Sequence, residues 1–96
     1  MSQRRMLRYV VAIDDRPHLV PLTSDPVTLP VAAISPWGAR SVEFWTEYVE
    51  GAPETQRAFQ VFGTGHPLPP GARHVGTCAR TEQGFVWHLF EVGDPR

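Results

Sequence analysis

The stretch SVEFWTEYV, Ser41 to Val49, decides how the whole chain is read. Read by alternation, it puts Val42, Phe44, Thr46 and Tyr48 on one side and Glu43, Trp45 and Glu47 on the other, the pattern of a half-buried strand. Read by helical spacing, Val42, Trp45 and Val49 share a face instead. The density of aromatic and β-branched residues across the stretch favours the strand, because those side chains fit a pleated surface and lose rotamer freedom in a helix. A strand here predicts an all-β chain, mainly antiparallel.

Outward from this segment the same rhythm continues. Ten prolines and eight glycines fall mostly between short apolar or alternating runs and leave little room for helices of ordinary length. Upstream, Met6 to Ile13 alternates, with Leu7, Tyr9, Val11 and Ile13 on one face, and DDRP at Asp14 to Pro17 supplies turn residues for a return along His18 to Leu22. Pro21 puts that return at a sheet edge, since proline cannot donate to a ladder. Val27 to Leu29 and Val31 to Ile34 are each long enough for a brief strand, and SPWG at Ser35 to Gly38 reads as a turn. Downstream, the polar connection EGAPETQ suggests a hairpin into Arg57 to Phe62, where Phe59 and Val61 share a side. After the loop GTGHPLPPGA come two more strands, His74 to Arg80 and Phe85 to Val92, around TEQG. The last is apolar on both faces and reads as central and covered on both sides. The expectation is one domain spanning 1–96, a sandwich or open barrel of six to seven short strands, with 1–4 and 93–96 as loose ends.

Composition bounds the function. A chain of 96 residues is long enough for one core without staples, and its formal net charge of −1 with arginines spread along it presents no polyanion-sized patch. Nucleic acid is therefore not an expected partner. No apolar run reaches bilayer-spanning length, so no membrane is expected, and the single Cys78 points to a reducing cytoplasm.

FGTGH, Phe62 to His66, is the most pointed stretch for chemistry. Gly63 and Gly65 tolerate positive φ, so successive backbone N–H groups there would suit an anion, with the Thr64 hydroxyl and His66 alongside. A plain strand-ending turn explains the same residues. The stretch lacks the glycine spacing and lysine of a phosphate-binding P-loop. His66, His74 and His88 have no chelating spacing, so no metal and no cofactor is expected. Cys78 and His74 fall on one face of a strand but roughly 13 Å apart at strand rise, too far for a dyad. His88 reads as a core or interface histidine satisfied by a carbonyl or carboxylate. Trp45, on the more polar face of its strand, and Trp87 offer flat apolar surface, and a nearby arginine such as Arg57 offers charge.

The motifs FGTGHP (Phe62 to Pro67), VGT (Val75 to Thr77) and VWHLFE (Val86 to Glu91), after an opening RYVVAI and a middle VEFWTEYVEG, resemble a family of small uncharacterised proteins of bacteriophages and prophages. The stretch from Asp14 to Ala39 departs most from it. That family is a domain of unknown function, so the resemblance carries no activity, cofactor or catalytic residue. It implies a mainly β domain and a phage or prophage setting. The expected function is then that of a non-enzymatic accessory binding protein in the host cytoplasm. It would occupy a host protein or a small anionic ligand through Gly63, Thr64, Gly65, His66, Trp45, Trp87 and Arg57. The alternative is a virion-associated or assembly protein that forms a homo-oligomer through strand edges. A small hydrolase using Asp14 or Glu91 with His66 ranks last.

Overall fold

The computed structural model describes residues 3–35 and 38–93. In it Ser41 to Val49 is extended, with Val42, Phe44 and Thr46 buried on one face. Seven strands follow the chain among the described residues: β1 (Arg4–Ala12), β2 (His18–Leu22), β3 (Val31–Ser35), β4 (Gly38–Val49), β5 (Thr55–Gly63), β6 (Arg73–Thr77) and β7 (Trp87–Val92). They form two antiparallel sheets, one in the order β1-β4-β3 and the other β2-β5-β7-β6, with no closed barrel. No helix among the described residues is long and apolar enough to cross a membrane.

One core lies between the sheets. Val11, Val42 and Phe44 come from the first sheet, and Val20, Leu22, Phe59, Val61 and Leu89 from the second. Phe44 and Phe59 meet across the gap with ring centroids 5.1 Å apart, and Tyr9 stacks on Phe44 from the neighbouring strand. Alternation explains the division: each strand turns every second residue inward, and those positions carry the large apolar side chains. The central position of β7 and the edge position of β2, with its Pro21, are as read from the sequence.

Two pairings differ from the sequence reading. β4 and β5 do not form a hairpin, because EGAPETQ carries the chain from one sheet to the other. Likewise Asp14 to Pro17 does not return β2 onto β1; the turn crosses the sandwich. Loop length and turn residues do not separate a hairpin from an arch, whereas the need to bury both inner faces does. Of the two short apolar pieces, Val31–Ser35 forms the strand, while Val27 only donates its N–H to Trp45 O. SPWG falls partly on Pro36 and Trp37, outside the described residues, as do 1–2 and 94–96 of the two chain ends. Gln3 and Arg4 are engaged: Glu50 N donates to Gln3 O, and Arg4 pairs with Val49.

The side of β4 away from β1 is covered in two pieces. β3 pairs it as far as Glu43, and the segment after β2 takes over, with Pro26 bridging Thr46. Thr23 Oγ1 donates to Glu47 O and accepts from Val49 N. Beneath this cover Thr46 is fully buried, and its hydroxyl has no partner among the described residues. Burying a hydroxyl without a hydrogen bond costs on the order of 1 kcal/mol or more in proteins. Thr46→Val, nearly the same shape, is therefore expected to stabilise the domain by about 1 kcal/mol and to raise Tm by about 5 °C in a thermal melt.

On the far side, the sandwich closes by a tight backbone contact. Pro30 is buried just before β3 and lies against Gly76 of β6, where a Cβ would sit 2.4 Å from Pro30 Cδ. Only glycine lets the two sheet edges approach this closely.

Candidate functional site

The end of β5 turns sharply at Gly63 to His66. His66 N donates to Gly63 O at 3.2 Å, and Gly65, third in the turn, has φ +88°, a value a type II turn requires and glycine supplies. Gly63 itself stays extended. Its N–H is spent on His66 Nδ1 at 3.2 Å, which leaves the other ring nitrogen to face outward. The backbone amides of Thr64 and Gly65 have no protein partner among the described residues. The turn therefore keeps two of the donors that alternation and glycine content suggested, and uses two to hold its own shape.

The β6–β7 connection brings a second wall. Cys78 N donates to Trp87 O and Thr81 N to Phe85 O, which extends the hairpin beyond β6, and Gly84 at φ +87° reverses the chain. Phe85 stacks on Trp87 at 5.9 Å between centroids, and although 57% exposed it is held flat by that stack. Between this pair and the Gly63 turn lies a cleft of about 340 Å³, lined also by Thr64, His66 and Arg80. Arg80 is exposed and makes no ion pair with the described residues. A planar ring against Phe85 with an anionic group at Arg80 would suit this lining, while Trp87 Nε1, buried beneath the stack, has no partner among the described residues.

On the outer face of the second sheet, beside the same turn, four side chains form a continuous chain of hydrogen bonds. Thr64 Oγ1 and His88 Nε2 lie 2.9 Å apart, His88 Nδ1 and Thr77 Oγ1 2.9 Å, and Thr77 Oγ1 and His74 Nε2 2.8 Å. His74 and Thr77 are three residues apart and would ordinarily point to opposite faces of a strand. A bulge between His74 and Gly76 inserts one unpaired residue, Val75, and puts both on the outer face. The same bulge corrects the expectation that His74 and Cys78 share a face. Cys78 is buried in the core beyond the end of β6, and burial pushes its thiol up to about 11, which disfavours the thiolate that a nucleophile needs. His88 is half-buried and satisfied by two hydroxyls, in place of the carbonyl or carboxylate expected.

The structure brings Gly63, Thr64, Gly65, His66 and Trp87 together and leaves the other two named residues elsewhere. Trp45 lies on the outer face of the other sheet, opposite Arg8. Arg57 lies six residues before Gly63 on β5, about 20 Å away at strand rise. It holds Glu91 in a two-point contact at 2.8 Å and Asp25 at 2.7 Å, so its charge is engaged, and these acids hold it protonated. The arginine at the cleft is Arg80. Sequence reasoning misses Arg80 and Phe85 because it treats the tight turn after Thr81 only as a connection. Two residues of known turn preference, Gly84 and Thr81, are the signal that these flanks meet. Among the described residues no group of three or more potential ligands is placed to hold a metal ion.

No curated protein and no solved structure matches the chain. A family model, by contrast, matches residues 2–96, and the chain belongs to the family described as Domain of unknown function (DUF7352).

Proposed function

We propose that the chain is a small phage- or prophage-encoded accessory protein that acts in the host cytoplasm by occupancy, without catalysis, and captures a small planar anion in the cleft between Gly63 and Phe85. The observation that supports this reading is Arg80. It is a cation with no acid among the described residues, lining the cleft together with the Gly63–Thr64 turn and with Phe85, which is exposed and stacked on the half-buried Trp87. A half-buried ion pair would have consumed such a charge, as happens at Arg57. The volume, about 340 Å³, falls at the lower end of small-molecule sites.

The test is native mass spectrometry of protein taken gently from lysate. A retained small-molecule mass is expected on the natural chain and is expected to be lost from Arg80→Ala. Retention by the variant would place the ligand elsewhere, and stoichiometric recovery of a host protein would make the occupant a protein.

A specific observation also favours the assembly alternative. The outer face of the first sheet exposes Met6, Val10 and Val31, each about half accessible, around Trp45. Ion pairs Arg4–Glu47 and Arg8–Glu43 interrupt this face. Light scattering decides: a closed oligomer would support assembly through this face, and a monomer would leave the cleft as the working surface.

A further inference from the structure

The chain Thr64–His88–Thr77–His74 is directional, and its direction decides what Thr64, which lines both the cleft and the adjoining hollow in front of His88, offers a ligand. A hydroxyl has one hydrogen, and a neutral imidazole has one N–H and one bare nitrogen. Two arrangements then spend every group when both histidines are neutral. In the first, Thr64 donates to His88 Nε2, His88 Nδ1–H donates to Thr77, and Thr77 donates to a bare His74 Nε2. Thr64 then shows the cleft only lone pairs. In the second, His74 Nε2–H donates to Thr77, Thr77 donates to a bare His88 Nδ1, and His88 Nε2–H donates to Thr64. The Thr64 hydrogen is now free to turn outward.

A proton selects between them. Protonated His74 has no bare nitrogen, so Thr77 must accept from it and pass its own hydrogen to His88, which imposes the second arrangement. Keeping Thr64 as donor to His88 in that state would leave the Thr77 hydrogen unspent. Protonated His88 donates from both nitrogens and frees Thr64 equally. The first arrangement suits a cation or a donor ligand, and the second suits an oxyanion.

Resting on the binding reading above, we propose that the relay makes the cleft a site for an oxyanion that is bound together with one proton, with Thr77 and His88 as positioning residues and His74 as the remote end that sets their direction. The relay runs from β6 across β7 to the turn after β5, and each link is within 2.9 Å. The groups facing it are few. His88 is opposite Phe62 on β5 and Thr77 on β6, and His74 packs against Phe90 of β7. From the turn, His66 shares with Thr64 the hollow in front of His88. Arg80 lines the neighbouring cleft, while Arg73 and Glu91 pair with each other on the opposite face. Among the described residues no carboxylate is paired with His74 or His88, so no fixed negative charge there opposes an incoming anion.

Benzenesulfonate is a suitable probe, being planar and singly charged at all relevant pH values. Calorimetry and NMR titration of the full chain would be run at about pH 8 and about pH 5.5, the span over which imidazoles gain a proton. Binding about tenfold tighter at the lower pH is expected, the gain of one added donor to a charged group. Paired buffers of different ionisation enthalpy should show uptake of about half a proton near the middle of that span, as linkage requires of a tenfold change. Thr64→Val leaves all three histidines in place and is expected to bind at the weaker strength at both pH values. His74→Gln offers Thr77 either a carbonyl or an N–H and does not titrate, so like neutral His74 it leaves both arrangements open; it is expected to bind at pH 8 as the natural chain does and to gain less at pH 5.5. A pH effect that survives in Thr64→Val would be the plain attraction of protonated histidines, His66 among them, and would overturn the relay. Equal binding by the natural chain at both pH values would overturn it too while sparing the cleft. No binding at either pH overturns the cleft reading and the relay with it.

Discussion

Gly76→Ala is expected to destabilise the domain by about 3 kcal/mol, at the upper end for overpacking by a single methyl, and to lower Tm by roughly 15 °C. The added Cβ would lie 2.4 Å from Pro30 Cδ and 3.2 Å from Pro30 Cγ, and neither atom can retreat as the end of a flexible chain would. The proline ring is fixed by its own backbone, and Pro30 is buried at the entry to β3, so relief requires one sheet edge to move off the other. Gly93→Ala is the control. Its Cβ would meet nothing within 4 Å, and chemical denaturation should place it within about 0.5 kcal/mol of the natural chain. If the clash is the cause, Pro30→Ala in the Gly76→Ala background should recover part of the loss, a coupling that a double-mutant cycle reads directly. Additive losses would show that Gly76 matters for some other reason.

Glu91→Gln is expected to cost about 2 kcal/mol, less than a fully buried pair because Arg57 and Glu91 keep 17% and 18% side-chain exposure. The two-point contact supplies most of this. Asp25 and Arg73 are 80% and 70% exposed, and solvent screens their share. Arg57, and Arg73 after it, hold the Glu91 carboxyl below the ordinary carboxylate range against the opposing effect of burial. Between the native and unfolded values the unfolded state binds more protons, so stability rises with pH there. The contribution is complete above the unfolded value of about 4.3 and disappears as pH falls through the native one. Denaturant midpoints for the natural chain and Glu91→Gln should therefore differ near neutrality and converge in acid. Asp14, lowered mainly by its hydrogen bond to His18, contributes with the same sign and is unaffected by the substitution. A constant gap down to strong acid would mean that the introduced amide disturbs packing and that the ion pair contributes little.

The elements of this fold were legible where one physical requirement dominated. In Ser41 to Val49, alternation and β-branched content agreed, and Phe44 and Thr46 are buried as the pattern demands. Pro21 marked an edge because a missing N–H leaves no alternative. Pairing was less legible, since Glu50 to Gln56 suits a hairpin and an arch equally; its choice depends on Phe59 meeting Phe44 from the opposite sheet. The candidate site was legible in its turn, through Gly63 and Gly65, and hidden in its partners. Arg57 and Arg80 look alike in a sequence, and only the positions of Asp25 and Glu91 show which of them is already neutralised. His74 with Thr77 was invisible for a sharper reason, because strict alternation puts residues three apart on opposite sides.

The irregularity at Val75 couples the interior of this protein to its outer chemistry, because Val75 packs against the core while it brings His74 and Thr77 onto the outer face. On one surface of β6, Gly76 keeps step with Leu89. On the other, a half-cycle change of phase decides whether an imidazole meets a hydroxyl or looks past it. Shortening the chain there by one residue is thus expected to turn His74 away from Thr77, breaking the relay, and to remove the core contact of Val75 with it.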